Sequence, residues 1–172
     1  MRAPSKPTDP LWARPLAFDV HGGVGTPVGF GGMTIDVAPA RWFVVSGGLG
    51  AGKGGMQEAA MARFRAPLGH FAFSLGGGMS TGAYDASDTN PFGDNDNWHW
   101  KRAFWGNGEA SLEFRDHTGV ELRAYAGWAH LTNPVADGCA TGSGRTCSNA
   151  AGGLLVTSFP YAGFAAGYAF DL

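Results

Sequence analysis

The chain has 172 residues, and 29 of them are Gly, roughly one in six where an average chain carries about 7%. Charged residues make up 15% against a typical ~25%, aromatics reach 13%, and the formal net charge is −2. These figures exclude several classes. The Gly has no three-residue period, so collagen is out. A hydrophobic content of 44% argues against disorder. A pI near 6.2 without a Lys/Arg cluster argues against a nucleic-acid binder. No run of ~18 apolar residues is present to form a transmembrane helix. An all-β chain remains.

Residues 1–14 form a polar, Pro-rich segment that is expected to be flexible. It contains no apolar stretch of the kind a signal peptide needs. An exported protein would therefore have its signal upstream of Met1 or already removed; the other reading is a cytosolic chain.

From residue 15 onward the sequence divides into segments of about ten residues, punctuated by Gly, Pro, Asn and Asp. Within each, apolar residues alternate with small or polar ones, the period of a strand. Eight strands are expected. The first, 16–25, puts Leu16, Phe18, Val20 and Val24 on one face and Asp19 and His21 on the other. The second, 31–38, sets Met33, Ile35 and Val37 against Thr34 and Asp36. The third, 42–51, sets Phe43, Val45 and Leu49 against Ser46 and glycines. The fourth, 57–66, sets Ala60, Ala62 and Phe64 against Met61, Arg63 and Arg65. The fifth, 70–83, sets Phe71, Phe73, Leu75 and Met79 against Ser74, Gly76, Gly78 and Ser80. The sixth, 100–115, sets Phe104, Ala110, Leu112 and Phe114 against Asn107, Glu109, Ser111, Glu113 and Arg115. The seventh, 120–131, sets Val120, Leu122, Ala124, Ala126 and Trp128 against Glu121, Arg123 and Tyr125. The eighth, 161–172, sets Phe164, Ala166, Tyr168, Phe170 and Leu172 against Gly163, Ala165, Gly167 and Asp171.

Three connections are tight, at 39–41, 67–69 and 116–119. Two of the other four are long, at about 84–99 and 132–159. Short turns at one end and loops at the other describe an up-and-down meander with both termini at the short-turn end.

Two architectures fit: a soluble barrel with an apolar interior, lipocalin-like, or a transmembrane barrel that is apolar outside. The polar face decides. It carries Asp19, Asp36, Glu109, Glu113 and Glu121 with Arg63, Arg65, Arg115 and Arg123, among many glycines. Gly weakens a strand on a soluble surface, whereas a narrow interior needs small residues beside long charged ones. Near-balanced charge suits an internal ion-pair network. Trp42, Phe43, Phe71, Trp98, Trp100, Tyr168 and Phe170 lie toward strand ends, as in interfacial girdles. The expected fold is all-β, an eight-stranded antiparallel up-and-down transmembrane β-barrel over 15–172.

The terminal stretch 160–172, with Phe164, Tyr168, Phe170 and Leu172 alternating to the chain end, resembles the C-terminal assembly signal of Gram-negative outer-membrane proteins. Stretches 35–50 and 119–129 resemble small barrels of the OmpA/OmpX type. The resemblance implies an outer-membrane location, contact with lipid and lipopolysaccharide, and insertion by the barrel assembly machinery. A monomer without nucleic-acid partner is expected.

An eight-stranded barrel is filled by side chains, so the interior charges are read as structural rather than as a wide pore. The polar stretch 137–147 holds Cys139 and Cys147, read as a local disulfide of an oxidising compartment. His130 and Thr132, in the run 130–133, faintly resemble the His-x-Ser-Asn of outer-membrane lipid A deacylases. Thr stands for Ser and no acid matches, so they are weak catalytic candidates beside an interfacial-His reading. The Asp/Asn-rich loop 84–97 could hold Ca²⁺ but lacks EF-hand spacing. Stretch 50–55 lacks the frame of a phosphate loop. No cofactor, metal site or enzymatic activity is expected. The role is read as envelope structure or surface interaction through the two long loops, with an outer-leaflet lipid-modifying enzyme or a soluble ligand-binding barrel as alternatives.

Overall fold

The structure is a computed structural model that describes residues 14–52, 55–83, 98–100, 102–132, 136–139 and 158–170. The described residues form ten strands: β1 (Leu16–Thr26), β2 (Gly29–Ala40), β3 (Phe43–Gly52), β4 (Gly55–Leu68), β5 (Phe71–Ala83), β6 (Trp98–Trp100), β7 (Arg102–Arg115), β8 (Val120–Leu131), β9 (Ala136–Cys139) and β10 (Ser158–Phe170). Eight of them close into an antiparallel barrel in the order β1-β10-β8-β7-β5-β4-β3-β2. Each barrel strand pairs with its sequence neighbours, and β1 pairs with β10 over Leu16–Val24 to complete the ring. Closure leaves no unpaired sheet edge.

The alternation read from the sequence separates two faces. Val20, Ile35, Leu49, Phe64, Leu75, Leu112, Leu122 and Phe164 all point outward and are more than half exposed. Asp19, Asp36, Arg63, Arg65, Glu113, Arg115, Glu121 and Arg123 point inward and are buried. The barrel is thus apolar outside and charged inside. That is the reverse of a soluble barrel, which rarely exposes so large a continuous apolar surface.

Glycine permits this inversion. At Gly23, Gly48, Gly50, Gly76, Gly78, Gly127, Gly163 and Gly167 an added Cβ would come within 3 Å of neighbouring atoms. At the outward Gly47 and Gly108 it would meet nothing within 4 Å. Gly76, Gly78, Gly127, Gly163 and Gly167 clear side chains of adjacent strands (Arg63, Met61, Tyr161, Tyr125 and Asp19), while at Gly50 the close atoms are all backbone.

At the short-turn end, Arg41 and Trp42 join β2 to β3, Gly69 and His70 join β4 to β5, and Asp116–Gly119 join β7 to β8. Gly69 adopts φ +68°, a positive value favoured in two-residue hairpin turns. Aromatic side chains ring this end on the outside. Trp42 stacks on Phe64 at 5.9 Å, Phe71 meets Phe114 at 5.2 Å, and Tyr168 meets Phe170 at 5.2 Å.

The structure corrects the sequence reading in three places. Residues 100–115 do not form one strand. Trp98–Trp100 is β6, which pairs with β9 in a separate two-stranded sheet, and the barrel strand begins at Arg102. Trp98 and Trp100 therefore belong to that separate sheet and not to a barrel strand. Strands β1 and β2 are longer than expected, so their connection is only Pro27 and Val28. That hairpin bends inward past a register shift between Gly22 and Thr26, and Val28 is 3% exposed. Val28 sits over the inward-facing Gly32 and Gly48 and closes the lumen at the loop end. Finally, β10 starts at Ser158, three residues before its expected beginning. Leu172, Cys147, the loop 84–97 and residues 1–13 lie outside the described residues.

Candidate functional site

The lumen holds the molecule's densest chemistry, and it divides into two levels. Toward the short-turn end lies the ion network. Arg63 on β4 pairs with Asp36 on β2 and lies 3.8 Å from Glu109 on β7. Arg65 donates to Glu113 at 2.7 Å, and Arg115 bridges Glu113, at 3.5 Å, and Glu121. Arg123 on β8 donates to Asp36 at 3.1 Å and lies 3.7 Å from Asp19.

Most of these contacts are not between register partners. Arg123 is opposite Glu113 in the β7–β8 ladder, yet it reaches across the lumen to β2. Arg65 on β4 passes β5 to reach Glu113 on β7. Ser74 is the β5 register partner of Arg65, and Gly76 that of Arg63, where an added Cβ would lie 2.6 Å from the Arg63 side chain. Buried ions need such paired, hydrogen-bonded partners, since an uncompensated charge in the interior is costly.

His21 marks the seam between the levels. Its Nε2 lies 2.8 Å from Oγ1 of Thr34, which itself donates to Asp36, and 3.1 Å from Nη2 of Arg123. Its Nδ1 lies 3.1 Å from the Tyr125 hydroxyl. Arg123 also lies over the Tyr125 ring at 5.6 Å.

Toward the loop end the filling becomes aromatic. Tyr125, Ala129, Tyr161 and Ala165 form a buried cluster against which Trp105 and Phe159 pack. Trp105 and Phe159 meet edge-on at 5.0 Å, and the Tyr161 hydroxyl donates to the carbonyl of Gly108 at 3.1 Å. Between this cluster, the Val28 hairpin and Arg63 lies a cavity of about 20 Å³, room for a water molecule rather than a solute. The lumen is a plug at both levels.

A second constellation sits outside the barrel, at the loop end. His130 on β8 and Ser158 on β10 are register partners. Nδ1 of His130 lies 2.7 Å from Oγ of Ser158. Thr132, the sequence candidate, donates its hydroxyl to the carbonyl of Phe104 and does not bond His130. Asn133 lies outside the described residues. Sequence reasoning missed Ser158 because it is 28 residues from His130 and no short motif joins them. Below the pair, on the same outward face, Ala110, Ala124, Ala126 and Ala162 floor a groove walled by Phe73, Leu112, Val24 and Phe164.

Other candidates find structural places. Gly50 and Gly52 end β3 and Gly55 opens β4, in register with Gly52, so the Gly-rich stretch 50–55 spans a hairpin and no helix follows it. Phe164, Tyr168 and Phe170 line the outward face of β10. Cys139 belongs to β9, and its expected partner is among the residues not described.

No family model, curated protein or solved structure matches the chain.

Proposed function

We propose that this chain is an integral outer-membrane protein of a Gram-negative bacterium, of the small OmpA/OmpX-like kind, with a non-enzymatic role. It acts in envelope structure or in surface interaction through the segments 84–99 and 132–159, which extend from the loop end. The observation that carries this reading is the inverted barrel: an apolar belt with aromatic rings outside, an ion-paired plug within. A closed barrel is one of the two folds able to satisfy all backbone groups in lipid. Strands of 10 to 14 residues suffice to cross it when tilted. Its partners are then outer-membrane lipid, lipopolysaccharide and, during insertion, the assembly machinery reading β10. A Cys139–Cys147 disulfide fits the same compartment. The test is folding behaviour. The barrel should refold only with detergent or lipid and run faster on gels unheated than boiled. A stable soluble monomer without detergent overturns the reading.

One observation favours a second reading. The Ser158–His130 contact has the geometry of an activated nucleophile, on the outward face above an apolar groove. In an ester hydrolysis, Ser158 Oγ would attack the acyl carbonyl as His130 takes its proton. His130 would return that proton to the leaving alkoxide, and water would then release the acid. Among the described residues no carboxylate orients His130, so the first reading is preferred. Labelling by a fluorophosphonate, lost in Ser158→Ala and His130→Ala, would establish the second. No labelling, and lipid A unchanged on incubation, would remove it.

A further inference from the structure

The charged side chains of the strands that face the lumen do not sum to zero. Five are carboxylates (Asp19, Asp36, Glu109, Glu113, Glu121) and four are guanidiniums (Arg63, Arg65, Arg115, Arg123). His21, whose Nε2 lies 2.8 Å from Oγ1 of Thr34 and 3.1 Å from Nη2 of Arg123, is counted as neutral. One negative charge is left over.

The surplus can be located. Asp19 is fully buried, and neither of its carboxylate oxygens has a hydrogen-bond partner. Its ion pair with Arg123 is long, 3.7 Å. Oε1 of Glu121 is likewise without a hydrogen bond, while Oε2 is held by Arg115. Asp36 is engaged by Arg63 and Arg123 through Oδ2. An oxygen from each of Asp19, Asp36 and Glu121 can be chosen so that all three lie within 4.8 Å of one another. Gly167 is the register partner of both Asp19 and Glu121. A Cβ on Gly167 would collide with Oδ1 of Asp19, so its absence opens the space the two carboxylates share.

We propose that Asp19, Glu121 and Asp36 bind one monovalent metal cation, of the size and charge of Na⁺, over Gly167. Three features select it. The ligands are hard carboxylate oxygens, and three of them no more than 4.8 Å apart let one ion sit within about 2.8 Å of each, near the roughly 2.3–2.6 Å at which hard cations take carboxylates. A hydron would join only two oxygens, drawn to roughly 2.5–2.7 Å, whereas a metal ion contacts all three. A divalent ion would replace the surplus negative charge by a surplus positive one, beside Arg115 and Arg123, at similar cost. The site was invisible in the sequence, where its three residues are 17 and 85 positions apart along β1, β2 and β8.

The site belongs to the lumen alone, so it can be tested in whichever medium the barrel folds. Thermal unfolding of the full chain is compared in NaCl and in choline chloride at equal ionic strength and neutral pH. Na⁺ should raise the wild-type midpoint by about 5 °C. Asp19→Asn, which removes the surplus charge, should show no Na⁺ response and should match Na⁺-loaded wild type in choline. Glu121→Gln, a second route should the first variant not fold, should also lose the response. Glu58→Gln, on the outward face, should keep it. Equal wild-type midpoints in the two salts overturn the proposal. So does a Na⁺ response that survives in both lumen variants, or a barrel that gains stability on acidification but not from Na⁺, which identifies a hydron instead.

Discussion

The two levels of the lumen solve one packing problem with opposite chemistry. Toward the short turns, Arg63, Arg65, Arg115 and Arg123 span the barrel and hold carboxylates on other strands. Toward the loops, Tyr125, Tyr161, Trp105 and Phe159 fill the same cross-section with rings, capped by Val28. Both fillings depend on inward glycines, Gly76 and Gly167 below and Gly127 and Gly163 above. They differ in what a deletion leaves behind. Removing one guanidinium strands charges that water cannot reach, whereas trimming a ring hydroxyl leaves the packing in place. The lower level should therefore be brittle and the upper one tolerant.

The sharpest way to break this contrast is Arg63→Met. It keeps bulk but leaves Asp36 with Arg123 alone and removes the cation near Glu109. A cost of about 3–5 kcal/mol is expected, read as a fall in the urea midpoint of the refolded barrel. Next comes Gly76→Ala, which puts a methyl group against the Arg63 side chain and should cost about 1–3 kcal/mol by overpacking. Its outward counterpart, Gly108→Ala, meets open space and should be neutral or stabilising by about 0.5–1 kcal/mol. If the two alanines cost the same, the inward glycines are not clearances. Tyr161→Phe in the upper level loses the hydroxyl that donates to Gly108 and lies beside Glu109, and should cost only about 1–2 kcal/mol. A loss equal to that of Arg63→Met would erase the distinction between the levels.

Much of the barrel was legible because its strands alternate strictly. Asp19 beside Val20, or Arg63 beside Phe64, can occupy opposite faces only in a strand, and the partition of Gly with the charged set indicated which face is narrow. What failed was local. The run 100–115 is apolar enough to read as one strand, but β6 pairs with β9 instead, and that partner is more than 30 residues away. The inward bend at Thr26–Gly29 depends on Gly25 and Gly29 at positive φ, which no period reveals. The chemistry was hidden for the same reason. Ser158 meets His130, and Asp19 meets Glu121, only because β10 lies between β8 and β1. Alternation specifies a face; ring closure specifies which residues share a level of it.

The smallest expected effect separates charge inside the short-turn end from charge just outside it. Asp116 is partly exposed in the turn between β7 and β8. Its Oδ1 accepts from the Thr118 hydroxyl at 2.6 Å and from the amides of Thr118, Gly119 and Val120 at 2.9, 2.9 and 3.0 Å. These bonds, the Thr118 hydroxyl first, hold its carboxyl below the ordinary value of 3.8. A depressed folded-state value means that the ionised form is preferred in the folded turn. The contribution is therefore complete above the unfolded-state value and is lost as pH falls through the lower, folded one. Asp116→Asn keeps an acceptor oxygen but not the charge. The stability difference between wild type and this variant should hold steady from neutral pH down to about 4–5. It should then shrink in stronger acid, as followed by urea midpoints across that range. A difference that ignores acid would mean that the turn needs only an oxygen there. The acid sensitivity of this end would then belong to the lumen carboxylates alone.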